Sequence, residues 1–155
     1  MEKTILQLHN LLTAKKKTLA TAESCTGGLL AKLLTDIPGS SAYFILGLVV
    51  YSNRVKEELL GIPRHLLLKK GAVSKEVAQA MSSGVRKKAK ADLGVGITGI
   101  AGTAGGSDKK KVGTVYICAS TGAKKICKKF LFKGSRAAVR SKASRQAAQL
   151  LKRLL

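Results

Sequence analysis

The order of apolar segments is the feature that most constrains the fold of this chain. Short strand-like runs alternate with amphipathic helix-like runs up to residue 100, and two strand-like runs then follow one another before a last helix. Strands separated by helices usually pair in parallel, whereas runs joined by a tight turn pair antiparallel. The sequence therefore predicts an α/β fold, a three-layer α/β/α sandwich with a mixed sheet, formed by a single domain over residues 1–155.

The individual elements follow from hydrophobic period and from turn residues. Helices are predicted over Glu2–Ala14, Thr26–Asp36, 52–61, Ser74–Ala91 and Ser135–Leu155. Strands are predicted over Thr18–Ala22, Ala42–Tyr51, Leu93–Ile100, Gly113–Ser120 and Lys124–Lys133, the last two as a hairpin around Thr121-Gly122. Hydrophobic residues make up 45% of the chain, which is enough for one core.

The charge of the chain is strongly positive, with 29 Lys and Arg residues against 8 Asp and Glu residues and a formal net charge of +21. Such an excess attracts polyanions in a salt-dependent manner. The basic residues are scattered along the chain, and aromatic residues, which would stack on bases, are only 4% of it. We therefore expect non-specific attraction to polyanions rather than a dedicated nucleic-acid site.

The cysteines and histidines do not have the spacing of a disulfide framework or a metal site. Cys25, Cys118 and Cys127 are odd in number and form no CxxC pair, which suits a reducing compartment. His9 and His65 lie far in sequence from any cysteine or acidic cluster. We predict no metal and no cofactor.

No segment has the sequence of a membrane span or a secretory signal. The longest apolar run, Tyr43–Tyr51, is much shorter than the roughly 20 residues that cross a bilayer. The first residues lack the charged and then apolar layout of a signal peptide. The sequence predicts a cytoplasmic protein without a membrane partner.

The stretch TAESCTGG, Thr21–Gly28, lies where a strand-like run meets a run with helical spacing. The first N–H groups of a helix have no partner within the helix, so such a turn can hold an anion or an oxyanion, and it can equally be an ordinary helix cap. Ser24 and Cys25 are the candidate nucleophiles, and Ser24 is favoured because no neighbouring histidine could activate the thiol. Glu23 is interpreted as a helix cap or a salt-bridge partner.

YSNRVK supplies a phenol, Tyr51, at the end of a strand and an amine, Lys56, one turn into the next helix. If the fold brings Lys56 to Ser24, the two form a nucleophile and its base. A lysine accepts a serine proton only where burial or a neighbouring cation lowers its pKa by several units. Taken alone, each of these residues is more often found on an ordinary surface.

GVGITG, Gly94–Gly99, matches the G-x-G-x-x-G pattern of dinucleotide-binding folds. No helix opens after it and no acidic residue follows about 20 positions later, so we interpret these glycines as allowing close backbone packing. The glycine-rich stretch Gly99–Lys111 follows the same strand. Loops that leave a strand end commonly border the ligand crevice of an α/β sheet.

Several blocks of the sequence, in this order, resemble the C-terminal domain of the competence/damage-inducible protein CinA: AESCTGGLLAKLLTDIPGSS, LGLVVYSNRVKEELLGI, GAVSKEVAQAMSSGV, GVGITGIAG, GGSDKKKVGTVYI and FKGSRAAVR. The resemblance extends from about Thr18 to Leu151. That domain also exists as a stand-alone nicotinamide-nucleotide amidase. The resemblance implies hydrolysis of the carboxamide of nicotinamide mononucleotide, a small-molecule nucleotide substrate, to nicotinic acid mononucleotide and ammonia.

The resemblance also implies roles for particular residues. Ser24 would attack the amide carbon, and Lys56 would take its proton directly or through Tyr51. Backbone N–H groups near Thr26–Gly28 or near 99–102 would hold the oxyanion. Independently of the resemblance, Arg145 of the last helix is a candidate for the substrate phosphate, although most basic residues of such a helix are solvated. The predicted substrate-binding residues are therefore Thr26, Gly27, Gly28, Thr98, Gly99, Gly102 and Arg145.

The chain departs from the family pattern at Thr103 and Lys111, where proline is usual. Proline restricts the unfolded freedom of a loop, so these departures predict a looser loop and reduced activity. The alternative function is a nucleotide-binding or polyanion-binding module of the same fold that has lost turnover. We also expect a homo-oligomer, whose stoichiometry the sequence leaves open.

Overall fold

The computed structural model describes residues 3–102, 106 and 110–155. None of the helices within these residues is long and apolar enough to span a bilayer. A 3₁₀ turn, Ser40–Ala42, precedes the second strand. The helices and strands are α1 (Lys3–Ala14), β1 (Leu19–Glu23), α2 (Leu29–Thr35), β2 (Phe44–Val49), α3 (Asn53–Leu60), α4 (Arg64–Lys70), α5 (Lys75–Ala89), β3 (Leu93–Gly99), β4 (Thr114–Ser120), β5 (Lys125–Leu131) and α6 (Arg136–Lys152).

The sheet is mixed, as the order of elements predicts. Its strand order is β2-β1-β3-β4-β5. β1 pairs in parallel with both β2 and β3, whereas β4 is antiparallel to β3 and to β5. The parallel pairs are the ones joined through helices, and β4 and β5 form the expected hairpin.

Two apolar clusters cover the two faces of the sheet. On one face α1, α2 and α6 contribute buried side chains such as Leu8 and Ala147. On the other face α3, α4 and α5 contribute Leu60, Leu67 and Met81, which belong to the same cluster as Ala22 of β1. The fold is therefore the three-layer α/β/α sandwich that the sequence predicts.

The structure corrects one helix start and adds one helix to the predicted set. The second helix begins at Leu29 and not at Thr26, because Gly27 and Gly28 have φ angles of 61° and 88°, which a right-handed helix excludes. The helix α4 was not predicted. Its seven residues include one fully buried side chain, Leu67, and so short a segment shows no helical period in its sequence.

The glycines of β3 lie directly beneath α5. A Cβ atom on Gly94 would lie 2.3 Å from the carbonyl oxygen of Ser82, and one on Gly96 would lie 2.5 Å from that of Ala78. Real Cβ atoms do not approach backbone atoms so closely. The GVGITG motif thus serves strand–helix packing, as predicted.

Replacing Gly96 with alanine is expected to lower the free energy of unfolding by about 1–3 kcal/mol, because strand and helix must move apart to admit the methyl group. Urea titration followed by circular dichroism measures the change. Gly122→Ala is the matched control, since a Cβ on Gly122 meets nothing within 4 Å. A Gly96→Ala protein as stable as the control would contradict the close approach.

The topology brings three strand ends to one place. β1, β2 and β3 are parallel and end at the same edge of the sheet, and the chain leaves β1 for β2 on one side while β3 lies on the other. A crevice forms at such a switch point. The backbone of Ser24, directly after β1, donates a hydrogen bond to Ile97 of β3 at 2.9 Å, and Val50 after β2 donates to Glu23 at 2.8 Å.

Candidate active site

A cavity of about 440 Å³ opens at this carboxyl edge of the parallel strands. Its size falls within the range of small-molecule sites. Ser24, Tyr51 and Lys56 line it, although Ser24 follows β1 whereas Tyr51 and Lys56 follow β2, Lys56 within α3. The complete lining is Ser24, Cys25, Tyr51, Lys56, Ala72, Val73, Thr98, Gly99, Ile100, Ala101, Gly102 and Arg136.

Lys56 and Ser24 meet in this cavity. The Lys56 Nζ donates to Ser24 Oγ at 3.4 Å and to the backbone carbonyl of Tyr51 at 2.9 Å. Lys56 belongs to the first turn of α3, which the Ser52 hydroxyl caps by accepting a hydrogen bond from Val55 N–H. The cap and the Tyr51 carbonyl together aim the amine back across the sheet edge at the hydroxyl.

The Lys56 side chain is 1% exposed, and this burial lowers the pKa of its amine because the charged form loses hydration. A weaker interaction with Cys25 opposes that shift. More of the amine is therefore neutral at physiological pH than in a free lysine. A neutral amine next to a hydroxyl can act as a general base.

The neighbouring thiol is poorly suited to attack. Cys25 is 6% exposed, and burial raises the pKa of its thiol to about 11, with a further contribution from the charge of Glu23. The thiolate is the nucleophilic form of cysteine, so it is scarce at neutral pH. The geometry and the ionisation both favour Ser24 as the nucleophile.

Glu23 is a helix cap. Its buried carboxylate accepts hydrogen bonds from the N–H groups of Leu30 at 3.1 Å and Ala31 at 2.8 Å. A negative charge in this position also suits the positive end of the helix dipole. These amides at the start of α2 are thus already bound by the protein's own carboxylate, which accounts for Glu23 without a catalytic role.

Thr26, Gly27 and Gly28 form the turn behind the cavity and do not line it. The Gly27 N–H donates to the Ser24 carbonyl at 3.1 Å, so the turn closes on the candidate nucleophile. Their placement supports the position of Ser24. Among the predicted binding residues, those that do line the cavity are Thr98, Gly99 and Gly102.

Two arginines of α6 reach this site, and the sequence interpretation missed both. Arg140 donates from Nε and Nη2 to the Thr26 carbonyl at 3.1 and 2.8 Å, and so holds the turn. Arg136 lines the cavity and donates to the Tyr51 hydroxyl at 3.1 Å. The sequence FKGSRAAVR could have indicated this pair, because Arg136 and Arg140 are four residues apart and therefore lie on one face of the helix.

Tyr51 contributes in two different ways. Its backbone carbonyl accepts a hydrogen bond from Lys56, whereas its phenol accepts one from Arg136 at the mouth of the cavity. The residue as a whole is 61% exposed. The direct contact between Lys56 and Ser24 gives the proton a route that does not need the phenol. The phenol and the guanidinium together form the polar rim of the site.

Arg145 lies away from the cavity. It is exposed on α6 and is not among the lining residues, whereas Arg136, at the start of the same helix, is. Nine residues separate the two along the helix, a rise of about 13 Å. Of the two positions where proline is usual in the family, Lys111 is exposed, and Thr103 lies outside the described residues.

Within the ranges that the structure describes, no three His, Cys, Asp or Glu side chains come together in a way that could hold a metal ion. The polar groups of the cavity are instead a hydroxyl, an amine, a phenol and a guanidinium, from Ser24, Lys56, Tyr51 and Arg136. These groups suit nucleophilic attack on a carbonyl and the binding of an anion.

Comparison with known proteins decides the family. A match to the CinA C-terminal domain covers residues 1–155. The chain belongs to the CinA C-terminal domain family. It is 52% identical over 145 residues to a CinA-like protein of Geobacter sulfurreducens, and this alignment covers 94% of the chain and 35% of the Geobacter protein. It is 47% identical over 155 residues to a putative competence-damage inducible protein of Caldanaerobacter subterraneus, across 100% of this chain and 37% of that protein.

Solved structures of CinA proteins share the fold of this CinA C-terminal domain. A CinA superfamily protein from Escherichia coli superposes with a TM-score of 0.94 at 32% identity, covering 99% of this chain and 90% of the other. The competence/damage inducible protein CihA from Agrobacterium tumefaciens superposes with a TM-score of 0.94 at 34% identity, covering 99% and 97%. The chain spans about a third of the length of the curated relatives, 35% in the first of them.

Proposed function

We propose that this CinA C-terminal domain hydrolyses the carboxamide of nicotinamide mononucleotide to nicotinic acid mononucleotide and ammonia, with Ser24 as the nucleophile. The observation that carries the proposal is the contact of 3.4 Å between Ser24 Oγ and the Nζ of Lys56. Burial lowers the pKa of that amine, and both groups face a cavity of about 440 Å³. Sequence resemblance to nicotinamide-nucleotide amidases supplies the substrate.

In the first half of the reaction Lys56 accepts the proton of the Ser24 hydroxyl while Oγ attacks the carboxamide carbon. The carbonyl oxygen becomes an oxyanion, for which we assign the backbone N–H groups that border the cavity at Cys25 and at 101–102. The intermediate then collapses, the carbon–nitrogen bond breaks, and Lys56 returns the proton to the leaving amine. Ammonia departs and an ester remains on Ser24.

In the second half of the reaction water replaces the ester. Lys56 accepts a proton from the water, whose oxygen attacks the ester carbon, and the bond to Ser24 Oγ breaks as the proton is returned to it. The products are the carboxylate of nicotinic acid mononucleotide and the restored hydroxyl. One water is consumed for each ammonia released, so the reaction needs no other reactant.

The test is to incubate the protein with nicotinamide mononucleotide and to measure two products. An ammonia assay measures the ammonia released, and chromatography measures the nicotinic acid mononucleotide formed. Purified wild-type protein should produce both in equal amounts. Tight binding in calorimetry without ammonia would instead support a nucleotide-binding module that has lost turnover. If the protein neither binds the nucleotide nor releases ammonia from it, the proposal is wrong.

Arg136 is the side chain we assign to the substrate phosphate, because its guanidinium lies at the cavity mouth beside Tyr51. Arg136→Ala is expected to raise the KM for nicotinamide mononucleotide about 10- to 100-fold, the loss of one or two charge-assisted hydrogen bonds. Its effect on nicotinamide riboside, which has no phosphate, should be much smaller. Steady-state kinetics with both substrates measure the difference.

Arg145→Ala is the matched control for that variant, since it removes one positive charge from the same helix away from the cavity. Its KM should stay within about two-fold of wild type, because charges beyond the Debye length are screened. Equal KM increases in the two variants would show that only the overall charge matters. Such a result would contradict the assignment of Arg136.

The homo-oligomer and the cytoplasmic location remain proposals. The edge strand β2 exposes Ile45 and Val49, at 49% and 52%, and an apolar edge of this kind can pair with a second copy. Light scattering after size-exclusion chromatography measures the mass in solution. Free thiols at Cys25, Cys118 and Cys127 suit the reducing cytoplasm.

A further inference from the structure

Cys118 of β4 and Cys127 of β5 are directly opposite each other in the hairpin. The backbone of Thr121 donates to the carbonyl of Lys124 at 2.8 Å, which makes the pair 121 and 124 a hydrogen-bonded one. Bonded and non-bonded pairs alternate along an antiparallel ladder, so the pair 118 and 127, three steps away, is non-bonded. Cα atoms of such pairs are about 4.5 Å apart, within the range that a disulfide spans.

The two thiols differ in access and interact with each other. Cys118 is 0% exposed, whereas Cys127 is partly exposed, and its thiol donates to the carbonyl of Lys75 at the start of α5. A hydrogen bond between the thiols lowers the pKa of Cys118, while interaction with Cys118 raises that of Cys127. The pair therefore titrates as a unit and gives up one proton well before the other.

We propose that Cys118 and Cys127 form a reversible cross-strand disulfide by exchange with a small-molecule disulfide. After the pair gives up its first proton, the two hydrogen-bonded sulfurs share the remaining one. The sulfur of Cys127, which is the one that solvent reaches, then attacks one sulfur of the reagent and expels one thiolate. Cys118 then attacks Cys127 Sγ in the mixed disulfide and expels the second. Two protein thiols are oxidised to one disulfide, and the reagent disulfide is reduced to two thiols.

The third cysteine has no such partner position. Cys25 follows β1 and lies in the cavity, whereas the pair lies on the hairpin of β4 and β5 at the other side of the sheet. Cys25 is also 6% exposed, which limits its contact with a dissolved reagent. Oxidation should therefore select the pair and leave Cys25 as a thiol.

The test uses the full chain, first reduced and then incubated with oxidised glutathione. The intact mass should fall by about 2 Da, the loss of two hydrogens, and dithiothreitol should restore it. Peptide mapping without reduction should recover a peptide that links residues 118 and 127. A mass that does not fall, or a link that involves Cys25, would overturn the proposal.

Single variants test the order of the two steps. Cys118→Ala should accumulate one glutathione adduct on Cys127, since no second thiol resolves it. Cys127→Ala should react at least about ten-fold more slowly, because the remaining hairpin thiol is buried. Cys25→Ala is the matched control and should lose two hydrogens as the wild type does. Faster labelling of Cys127→Ala than of Cys118→Ala would contradict the assigned order.

Discussion

Replacing Ser24 with alanine is expected to lower kcat for ammonia release from nicotinamide mononucleotide by about 10³-fold or more. The variant loses the atom that forms the ester, while the cavity wall and Arg136 remain. Binding of the nucleotide should therefore persist, and calorimetry should give a Kd within a few-fold of wild type. The assay is the initial rate of ammonia release, with a Tm measurement to show that the fold is intact.

Cys25→Ala is the variant that separates the two candidate nucleophiles. Because the pKa of the Cys25 thiol is raised to about 11, we expect its removal to reduce kcat by less than about ten-fold. The Cys25 N–H, which we assign to the oxyanion, is unchanged by this substitution. A Cys25→Ala protein that is inactive beside an active Ser24→Ala protein would reverse the assignment.

Replacing Lys56 with methionine should lower kcat by about 10²- to 10⁴-fold, the usual contribution of a positioned general base. Methionine is a flexible unbranched side chain that fills much of the same buried space without an amine. Lys56→Arg should not restore the rate, because a guanidinium stays protonated. Recovery of full activity in Lys56→Arg would mean that only a positive charge is needed at this position.

The pH profile provides an independent check on Lys56. As the amine must be neutral to accept the Ser24 proton, kcat/KM of the wild type should rise with pH through an apparent pKa below the ordinary lysine value of 10.5. The small residual rate of Lys56→Met should lack this rising limb. A wild-type profile that falls over the same pH range would contradict the role of a neutral amine.

Stability should depend on pH in the same direction. Burial makes the pKa of Lys56 lower in the folded state than in the unfolded state, so between the two values the unfolded chain binds more protons. The destabilisation from this buried charge is fully present below the folded pKa and disappears as the pH approaches 10.5. Urea titrations at several pH values should therefore show wild type gaining stability relative to Lys56→Met as the pH rises.

The sequence predicts the layers and the order of elements well because their signals are local. Apolar spacing within a single segment identifies α1, β1, α5, β3 and the hairpin within a few residues of their observed ends. The helix α4 was missed because seven residues are too few for a period to show. The start of α2 was placed three residues early because positive φ angles at Gly27 and Gly28 leave no mark in hydrophobicity.

The sequence by itself determined that a hydroxyl stands on a strand-to-helix turn at Ser24, that an amine stands one turn into a later helix at Lys56, and that glycines follow β3. Only the tertiary structure decided that the hydroxyl and the amine lie 3.4 Å apart and that Arg136, rather than Arg145, reaches the cavity. The physical reason is the parallel pairing of β1 with β2 and β3. This pairing brings segments that are distant in the chain to the carboxyl edge of the sheet, where burial lowers the pKa of the Lys56 amine. The residues next to Lys56 in the sequence do not indicate that burial.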